Sequence, residues 1–503
     1  MSLAVIYSRA LVGIEAIPIE VEVFTSNGLP GISIVGLPEA AVRESKDRVH
    51  GAVLNCGFKI PYRRITINLA PADLPKEGGR YDLPIAIGFL IASNQLKVKN
   101  LANYEFIGEL ALSGNLRPIN GVLPSLIATK ANKRVLIIPE DNKVEAGIIT
   151  KAKVLSASNL LEVCTHLSGI SPLPQVKSIK PNQPKYLGFD FSEVKGQDKA
   201  KRALEIAATG GHNVLMVGPP GTGKTMLASR LPSILPPLSE AEAIETAKIY
   251  SIRHSIFNPK NWLVRPMRAP HHTASAVALV GGGSVPKPGE ISLAHNGVLF
   301  LDELPEFDRK VLEVLREPLE SGEIRISRAT QQAEFHADFL LVASMNPCPC
   351  GYFGDGTSRC KCTDDQISRY RNKISGPLLD RIDIHIEVPK VPVEDLQNID
   401  FADKNNSSSK IRSKVIQARK LQYNRQNKAN YQLNGKEISK FCFLGDQENQ
   451  LLSSAMEKLS LSARSYFRIL RVARTIADLD NKTHIRKNHI AEAISYRMLD
   501  RAI

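Results

Sequence analysis

Residues 213–227, NVLMVGPPGTGKTML, constrain the fold of this chain more than any other stretch. They place an apolar strand before the pattern G-x-x-x-x-G-K-[ST] and a helical segment after it. Glycines let the backbone curl, so that its N–H groups and the amino end of the helix face phosphate oxygens. The pattern therefore predicts a parallel α/β domain that binds ATP.

The nucleotide is expected to contact every residue of this phosphate loop. Lys224 would place a point charge on the phosphates, and Thr225 would supply a hydroxyl ligand for Mg²⁺. The full set of predicted nucleotide-binding residues is Gly218, Pro219, Pro220, Gly221, Thr222, Gly223, Lys224 and Thr225.

Two carboxylates follow a second apolar strand. In GVLFLDELPEF, residues 297–307, four apolar residues lead to Asp302 and Glu303. We expect Asp302 to bind Mg²⁺ through its water shell and Glu303 to polarise the attacking water, because phosphoryl transfer depends on charge neutralisation and positioning. Asn346 ends a further apolar strand, where its amide would orient that water and sense the γ-phosphate.

Two arginines complete an ATPase pattern. Arg381 precedes a last strand, IDIHIEV, and Arg464 opens a helical segment, SARSYFRILRVARTIADL. The order of strand, phosphate loop, Asp-Glu strand, Asn strand, Arg and helical Arg resembles the AAA+ ATPases. The resemblance implies that Arg381 reaches the nucleotide of a neighbouring subunit in a ring, while Arg464 bends the lid onto its own nucleotide. A local salt bridge of Arg381 with Asp380 or Asp383 is the alternative.

The chain divides by pattern into five parts. Residues 1–170 alternate β-like and helical runs, which predicts a mixed α/β domain. Residues 171–190 are proline-rich and form a linker. Strand-like runs separated by helical ones predict a parallel α/β core over 191–390. A polar linker, 391–410, leads to 411–503, whose periodicity predicts a helical lid. The expected fold class is α/β with a helical C-terminal domain.

Two further segments of the core resemble those of one branch of the AAA+ proteins. Residues 268–297 lengthen the stretch between the phosphate loop and the Asp-Glu strand, and residues 323–342 alternate at period two around a polar tip. A helix-2 insertion and a hairpin before the Asn strand resemble the branch of AAA+ proteins that contains the magnesium-chelatase motor subunit and the MCM helicases. In that branch both elements face the pore of the ring. Arg325 and Arg328, near the tip of the hairpin, are therefore candidate DNA contacts.

The insertion also contains His271 and His272. Adjacent histidines in such a segment more often pack or form hydrogen bonds than bind metal, and we expect packing here.

The N-terminal part resembles another known fold. LPKEGGRYDLPIAIGFLIAS and IGELALSGNLRPINGVLPSLIATKANKRVLIIP are similar to the Lon-type protease domain, a ribosomal S5-type fold that RadA uses without proteolysis. Lon needs a serine after its first element and a lysine after its second, and this chain has neither. The resemblance therefore implies a scaffold or a nucleic-acid platform rather than a protease. Its candidate contacts are Arg63, Arg64, Lys76 and Arg80.

Four of the seven cysteines lie in the segment NPCPCGYFGDGTSRCKCT. Two C-x-C pairs, Cys348/Cys350 and Cys360/Cys362, can converge four thiolates on one tetrahedral ion, and the glycines between them permit the chain reversal. We therefore predict a structural zinc site. Free thiols and an iron–sulfur cluster are the alternatives.

The composition of the chain limits the kinds of partner that it is expected to bind. The chain has 65 Lys and Arg against 51 Asp and Glu, a formal net charge of +14, which favours a polyanionic partner or serves only solubility. No stretch approaches the roughly twenty apolar residues of a membrane span, and the N-terminus lacks a secretory leader. We expect a cytoplasmic protein that has no membrane partner.

The Lon-like domain, the chelatase-type motor, the MNPCPCG loop and the arginine-bearing tail together resemble the ComM (YifB) family. Membership implies a homohexameric, ATP-driven DNA helicase that promotes branch migration when single strands integrate during natural transformation. Its expected cofactors are ATP, Mg²⁺ and zinc, and its expected partners are single-stranded and branched DNA. An arginine-rich helical face at positions 464, 468, 471 and 474 would serve nucleotide sensing, DNA binding or only solvation.

Two other functions stay open at this point. A motor for metal insertion into a porphyrin is favoured by the chelatase-type core, but that subunit works with partners and lacks an N-terminal domain of this kind. A MoxR-like protein-remodelling ATPase is the second alternative. DNA, partner subunits or a protein client would stimulate the ATPase activity in the three cases respectively.

Overall fold

A five-stranded parallel sheet carries the phosphate loop at its carboxyl edge. The computed structural model describes residues 2–149, 152–179, 189–253, 262–283, 285–327, 332–354, 356, 358–392, 407–459 and 461–497. Within these residues, no helix is long and apolar enough to cross a membrane.

The N-terminal part is a mixed α/β structure, as the alternating pattern predicts. Strands β1 (Ser2–Val12) and β2 (Glu15–Ser26) form a hairpin, and β4 (Arg64–Ala70) and β3 (Gly31–Val35) extend its sheet in the order β1-β2-β4-β3. Side chains of β2 alternate between buried and exposed positions, because one face of this sheet packs on the core.

The remaining N-terminal elements cover that sheet or form small ones. The strands are β5 (Tyr104–Phe106), β6 (Glu109–Leu110), β7 (Leu116–Arg117), β8 (Val135–Pro139) and β9 (Val154–Ala157). The helices are α1 (Ala40–Arg43), α2 (Ser45–Asn55), α3 (Asp82–Ala92), α4 (Val122–Ala131), α5 (Lys143–Ala146) and α6 (Leu160–Leu167). Nearly every residue of α3 is buried, so this helix is the centre of the N-terminal core.

The central sheet has the order β11-β14-β17-β10-β18, and every neighbouring pair is parallel. Its strands are β10 (Val214–Val217), β11 (Met267–Arg268), β14 (Val298–Leu301), β17 (Leu340–Met345) and β18 (Ile384–Glu387). All residues of β10, β14 and β17 are buried, which is why these strands are continuous apolar runs rather than alternating ones. The predicted parallel core is confirmed, whereas the two-residue edge strand β11 was missed.

Nine helices surround this sheet among the described residues. They are α7 (Asp198–Gly210), α8 (Lys224–Arg230), α9 (Glu240–Arg253), α10 (Ala276–Val280), α11 (Glu290–Leu293), α12 (Arg309–Glu313), α13 (Pro318–Ser321), α14 (Asp364–Arg371) and α15 (Gly376–Leu379).

Two antiparallel ribbons project from the core. The insertion contains β12 (Gly281–Gly282) and β13 (Lys287–Pro288), and the predicted hairpin consists of β15 (Glu323–Ser327) and β16 (Gln332–His336). Arg325 lies on the exposed face of the hairpin, opposite Glu334, with Nε 3.2 Å from the glutamate. Arg328 lies outside the described residues.

The C-terminal part is helical throughout its described residues, as predicted. Its helices are α16 (Ser408–Gln426), α17 (Gly435–Phe441), α18 (Asp446–Leu459), α19 (Ala463–Leu479) and α20 (Lys487–Ser495). The amide of Phe191 donates to the hydroxyl of Ser408 at 2.8 Å, so the start of the lid is fixed to the start of the core. Most of the two predicted linkers, 171–190 and 391–410, lies outside the described residues, since the structure does not describe 180–188 and 393–406.

The N-terminal part packs directly on the motor. Val122 and Leu123 share an apolar cluster with Ala247 and Trp262, and the amide of Gly121 donates to the carbonyl of Ser251 at 2.7 Å. Residues 121–123 therefore form part of a docking surface for helix α9.

Two of the predicted nucleic-acid contacts are wrong. Lys76 is fully buried and donates to the carbonyl of Pro71, and Arg80 is buried and donates to the carbonyls of Arg9 and Asn120. Neither side chain is free to meet a phosphate, because each satisfies backbone oxygens inside the fold. Arg63 and Arg64 are exposed.

Candidate nucleotide site and cysteine cluster

The phosphate loop connects β10 to α8 in the conformation that its glycines permit. Gly221 and Gly223 have φ values of +77° and +88°, in the left-handed region that glycine adopts without strain. Helix α8 begins at Lys224, so its first amides point to the centre of the loop. The loop is thus shaped to surround an anion.

The ammonium group of Lys224 lies inside this loop. It donates to the carbonyls of Gly218 and Pro219 at 2.6 and 2.9 Å and lies 3.3 Å from Oδ1 of Asn346. Burial lowers the pKa of Lys224, and Asp302 and Glu303 oppose that effect. The structure therefore brings Gly218, Pro219 and Asn346 into contact with one ammonium group, and Asp302 and Glu303 are near enough to act on its charge.

Thr225 and Asp302 meet at the carboxyl edge of the sheet. The Thr225 hydroxyl donates to Oδ2 of Asp302 at 2.8 Å, although the two residues come from different elements. Ser344 on β17, the strand between β10 and β14, donates to Oδ1 of the same carboxylate. A hydroxyl and a carboxylate are oxygen ligands of the kind that Mg²⁺ prefers, so this pair fits the ion.

Ser344 was not predicted from the sequence, although a signal exists. It lies on β17, two residues before Asn346, which follows the end of that strand, and it is fully buried. A hydroxyl at the end of a buried apolar strand needs a hydrogen-bond partner, and the Asp302 carboxylate is that partner.

Glu303 has an unusual backbone conformation. Its φ is +53°, and its amide donates to Oδ1 of Asp302 at 3.1 Å. A non-glycine residue in the left-handed region stores of order 1–3 kcal/mol of strain and is common at functional sites. The strained turn separates the two carboxylates, with Asp302 directed to Thr225 and Glu303 directed to the insertion.

His272 lies beside Glu303, with Nδ1 of the histidine 3.6 Å from Oε2 of the glutamate. Its ring contacts the ring of His271, with centroids 4.1 Å apart, and meets Phe307 edge-on at 6.4 Å. The prediction that these histidines pack is confirmed, but the contact with Glu303 was missed. Strand β11, which directs this segment to the carboxyl edge, is too short to be recognised from sequence.

Arg381 is bound within its own chain by a residue that was not predicted. Its guanidinium pairs with the carboxylate of Glu320 and donates to the carbonyl of Pro377 at 2.7 Å, while its buried Nε has no partner. The alternative of a salt bridge with Asp380 or Asp383 is wrong, since both face other arginines.

Asp383 belongs to a buried network instead. Arg468 forms an ion pair with it, and His212 Nδ1 lies 3.5 Å away. Burial alone would raise the pKa of Asp383, but Arg468 and His212 hold it well below the usual range. Asp380 lies 3.8 Å from Arg464.

The position of Arg464 contradicts its predicted role on its own nucleotide. The Asn213 amide group donates to the carbonyl of Arg381 at 3.1 Å, so Arg381 and the adjacent Asp380–Arg464 pair lie at the amino end of β10. The phosphate loop begins at the other end of this strand, about 13 Å away for four residues at about 3.3 Å each. Arg381 and Arg464 also line one cavity. The two arginines therefore share a face that is remote from the phosphate loop of the same chain.

The arginine-rich face of helix α19 is not a solvent or DNA face. Arg474 is buried and forms an ion pair with Asp478 at 2.9 Å, Arg468 holds Asp383, and Arg471 donates to the carbonyl of Leu433 at 2.6 Å. Only Arg464, of these four predicted residues, is exposed. The four arginines do lie on one helix at the predicted spacing, but most of them face the core rather than solvent.

The four cysteines of the segment 348–362 converge on one point. Sγ of Cys348 lies 3.4 Å from that of Cys350 and 3.8 Å from that of Cys360, and the four sulfur atoms all lie within 4.8 Å of one another. A tetrahedral zinc ion with bonds of about 2.3 Å separates its sulfur ligands by about 3.8 Å. The donor set and its spacing therefore fit a metal such as zinc, with Cys362 as the fourth ligand.

The cysteine loop also contacts the phosphate loop. Gly351 has φ +84°, and a Cβ atom built on it would lie 2.7 Å from Cδ of Pro220. A hydrogen bond from the backbone of Tyr352 lowers the pKa of Cys350 to about 6, which favours the thiolate that binds metal. A metal here would stabilise a loop that supports the nucleotide site.

Comparisons with known families cover almost the whole chain. The family described as magnesium chelatase, subunit ChlI, matches residues 190–396, and its C-terminal counterpart matches residues 405–497. A third family, described as subunit ChlI of Mg-chelatase, matches residues 21–142. The three matched segments cover the N-terminal part, the part with the central sheet and the helical C-terminal part.

Individual relatives are similar over different lengths. Competence protein ComM of Haemophilus influenzae is 52% identical over 507 residues, which span 100% of this chain and 99% of the relative. YifB of Escherichia coli is 49% identical over 503 residues, spanning 100% of this chain and 98% of the relative. The magnesium-chelatase 38 kDa subunit of Cereibacter sphaeroides is 27% identical over 179 residues, only 32% of this chain and 53% of that subunit. With full-length identity of this extent, the chain belongs to the ComM (YifB) family of magnesium-chelatase-like AAA+ ATPases.

Proposed function

We propose that this chain is an ATP-driven DNA helicase that promotes branch migration during DNA uptake and homologous recombination. The observation that carries the proposal is the assembly of Lys224, Thr225, Asp302 and Glu303 into one site, in a chain 52% identical to a competence protein over its full length. A ring ATPase supplies the free energy for strand exchange, and the relative's name points to incoming DNA.

Hydrolysis would use the groups at the carboxyl edge of the sheet. The γ-phosphate would take the place of the carbonyl oxygens that Lys224 now contacts, with the amides of the phosphate loop around it. Thr225 and Asp302 would hold Mg²⁺, which neutralises charge on the phosphates. Glu303 would accept a proton from the attacking water, and the Asn346 amide would orient that water.

The face that carries Arg381 and Arg464 would serve the neighbouring subunit. Arg381 and Arg464 lie away from their own phosphate loop, so each can reach a nucleotide only in another subunit. The Arg381 guanidinium would release the carboxylate of Glu320 and bind the γ-phosphate of the neighbouring nucleotide in its place. A site completed in this way requires a closed ring, for which we propose a homohexamer.

DNA would pass the hairpin and the insertion. The side chain of Arg325 is 68% exposed, so its charge would become available to a phosphate that displaces Glu334 and the more distant Glu323. A Cβ atom on Gly281 of the insertion would lie 3.0 Å from Cδ1 of Ile326 on the hairpin, so the two ribbons are in contact. We propose that they move together in the pore and that Arg328 acts beside Arg325.

The other parts would support this motor. We propose a Lon-like N-terminal domain over 1–170, a core over 191–390 and a lid over 411–503, with linkers between them. The N-terminal domain would act as a scaffold docked on α9, with Arg63 and Arg64 as its exposed cations. The cysteine cluster would hold one zinc ion, and its thiolates suit the reducing cytoplasm.

Stimulation of ATP hydrolysis discriminates among the candidate functions. Hydrolysis should rise with single-stranded and forked DNA, and the chain should displace a labelled strand and move a branched junction only with ATP. Glu303→Gln is the matched control, since it should bind DNA and ATP without turnover. A chelatase motor would respond to partner subunits and a remodeller to a protein client, so an ATPase indifferent to every DNA form would reject the proposal.

A further inference from the structure

A second cavity, of about 700 Å³, lies at the amino edge of the central sheet. Asn296 and Asp338, which precede β14 and β17, line one side of it, and helix α16 of the lid lines the other. Its volume falls within the range of about 300–1,000 Å³ that is typical of small-molecule sites. Because the phosphate loop lies at the opposite edge of the sheet, this cavity is separate from the nucleotide site.

Arg419 of helix α16 lines this cavity and forms no ion pair with the residues that the structure describes. Its terminal nitrogen donates to the carbonyl of Ala208 at 3.2 Å, and its buried Nε has no hydrogen-bond partner. Burial lowers the pKa of Arg419 and repulsion from Arg265 lowers it further, while Tyr423, Tyr431 and Glu242 oppose these effects. A half-buried guanidinium without an ion-pair partner is a favourable place for an anion to bind.

The acidic groups of the cavity already have partners. Glu242 pairs with Arg265 at 3.0 Å, and Asp338 accepts hydrogen bonds from the Tyr431 hydroxyl at 2.6 and 2.7 Å. Neither carboxylate forms an ion pair with Arg419, although Glu242 is near enough to act on its charge. Lys420, which is exposed and also lines the cavity, adds a further positive charge.

The whole of helix α16 is cationic. It contains six basic residues and no acidic one within Ser408–Gln426. The field of such a helix concentrates anions at its surface, and the concave part of that surface is the cavity beside Arg419.

The rest of the lining suits an organic group. Leu235, Phe339 and Ile416 form an apolar wall, and Tyr423, 46% exposed, presents part of its ring. We propose that this cavity binds a phosphate-bearing small molecule, with Arg419 and Lys420 on its phosphate and Tyr423 with the apolar wall on its organic part. The site goes beyond the proposed motor function, since it lies outside the ATP site and the pore elements.

The phosphate has two possible sources, a free nucleotide or a strand of nucleic acid, and calorimetry on the full-length chain separates them. Lys224→Ala removes the phosphate loop's cation, so that the remaining binding of ADP and pyrophosphate reports on other sites. We expect this variant to keep one weak site for both probes. Adding Arg419→Gln should weaken ADP about 10-fold or more, as expected for a lost charged hydrogen bond.

Lys414→Gln is the matched control, because it removes one charge from the exposed face of the same helix and should change the affinity less than about twofold. If Arg419→Gln perturbs folding, Lys420→Gln at the exposed part of the lining tests the same site and should weaken ADP about threefold. A ten-nucleotide single strand that binds through Arg419 when ADP and pyrophosphate do not would overturn the small-molecule proposal and assign the phosphate to nucleic acid. Equal affinities for every probe with and without Arg419→Gln and Lys420→Gln would overturn the proposal.

Discussion

Nδ1 of His272 lies 3.6 Å from Oε2 of Glu303, which connects the insertion to the carboxylate assigned to water activation. His272 belongs to the segment that leads into the insertion ribbon, and that ribbon contacts the hairpin at Ile326. A movement of the insertion ribbon or the hairpin would therefore alter the orientation of Glu303 without any movement of the phosphate loop.

We expect His272→Ala to lower kcat for ATP about 10-fold with little change in KM, because Glu303 would lose the group that orients it while phosphate contacts persist. His272→Asn, which keeps a hydrogen-bonding group, should recover part of this loss. Steady-state ATPase assays with and without DNA give both constants. Thr273→Ala is the control, since Thr273 lies in the same segment and its hydroxyl contacts His271 rather than Glu303, and an equal effect there would argue against a positioning role.

Lys224→Ala and Glu303→Gln should separate binding from chemistry. Loss of Lys224 removes the charge that faces the phosphates, so nucleotide binding or turnover should disappear. Glu303→Gln removes only the proton acceptor, and it should bind ATP normally while kcat falls at least 100-fold. Binding by fluorescence and turnover by phosphate release measure the two effects. Rapid hydrolysis by Glu303→Gln would assign water activation to another group.

The local parts of the site were predictable from sequence, and the non-local parts were not. The phosphate loop and the Asp-Glu strand end are contiguous patterns whose backbone conformation depends on neighbouring residues. By contrast, the roles of Ser344 and His272 depend on which strands lie side by side, which is a property of the sheet order. Both were therefore missed.

Long cationic side chains gave the least reliable predictions. Lys76, Arg80 and Arg474 were expected to face a ligand or solvent, yet each is buried and satisfied by carbonyl or carboxylate oxygens. Charge patterns do not distinguish these cases, because the partners are backbone atoms or residues on the following helix turn. The edge of the sheet that Arg464 occupies likewise follows from tertiary packing.

Arg381→Ala should lower turnover roughly 10³-fold, in the manner of an arginine that stabilises transition-state charge. Because Arg381 lies at the edge of the sheet opposite its own phosphate loop, the defect should be complemented between subunits. Mixtures of Arg381→Ala and Glu303→Gln subunits should regain part of the wild-type ATPase rate, since some interfaces receive both intact groups. No recovery at any mixing ratio would place the action of Arg381 within its own subunit.

Arg325→Ala should weaken DNA binding and reduce the slope of log K against log salt by about one unit, because each neutralised phosphate releases condensed counterion. Combining it with Arg328→Ala should abolish stimulation by DNA while basal hydrolysis survives. Glu334→Ala removes the nearer of the two ion-pair partners of Arg325, leaving Glu323, and should strengthen binding slightly. Fluorescence anisotropy across a salt series measures the slope, and an unchanged slope in the double variant would remove the hairpin from the DNA path.

Elemental analysis should find about one zinc ion per chain, bound by Cys348, Cys350, Cys360 and Cys362. The sulfur separations of 3.4–3.8 Å measured among three of them match a tetrahedral ion, and four protein ligands leave no open position for catalysis. Cys360→Ser with Cys362→Ser should therefore lose the metal.

The consequence of metal loss follows from the position of the loop. It begins after Asn346 and contacts Pro220 through Gly351, so the ion would hold the exit of β17 rigid beside the phosphate loop. Ring assembly and stimulation by DNA should fall more than ATP affinity, because Lys224 and Thr225 are held by helix α8 and not by the cysteine loop. Cys56→Ser, at a half-exposed thiol outside the cluster, should leave the metal content unchanged. A metal-free wild-type protein that assembles and hydrolyses ATP fully would show that the four thiols converge without a metal role.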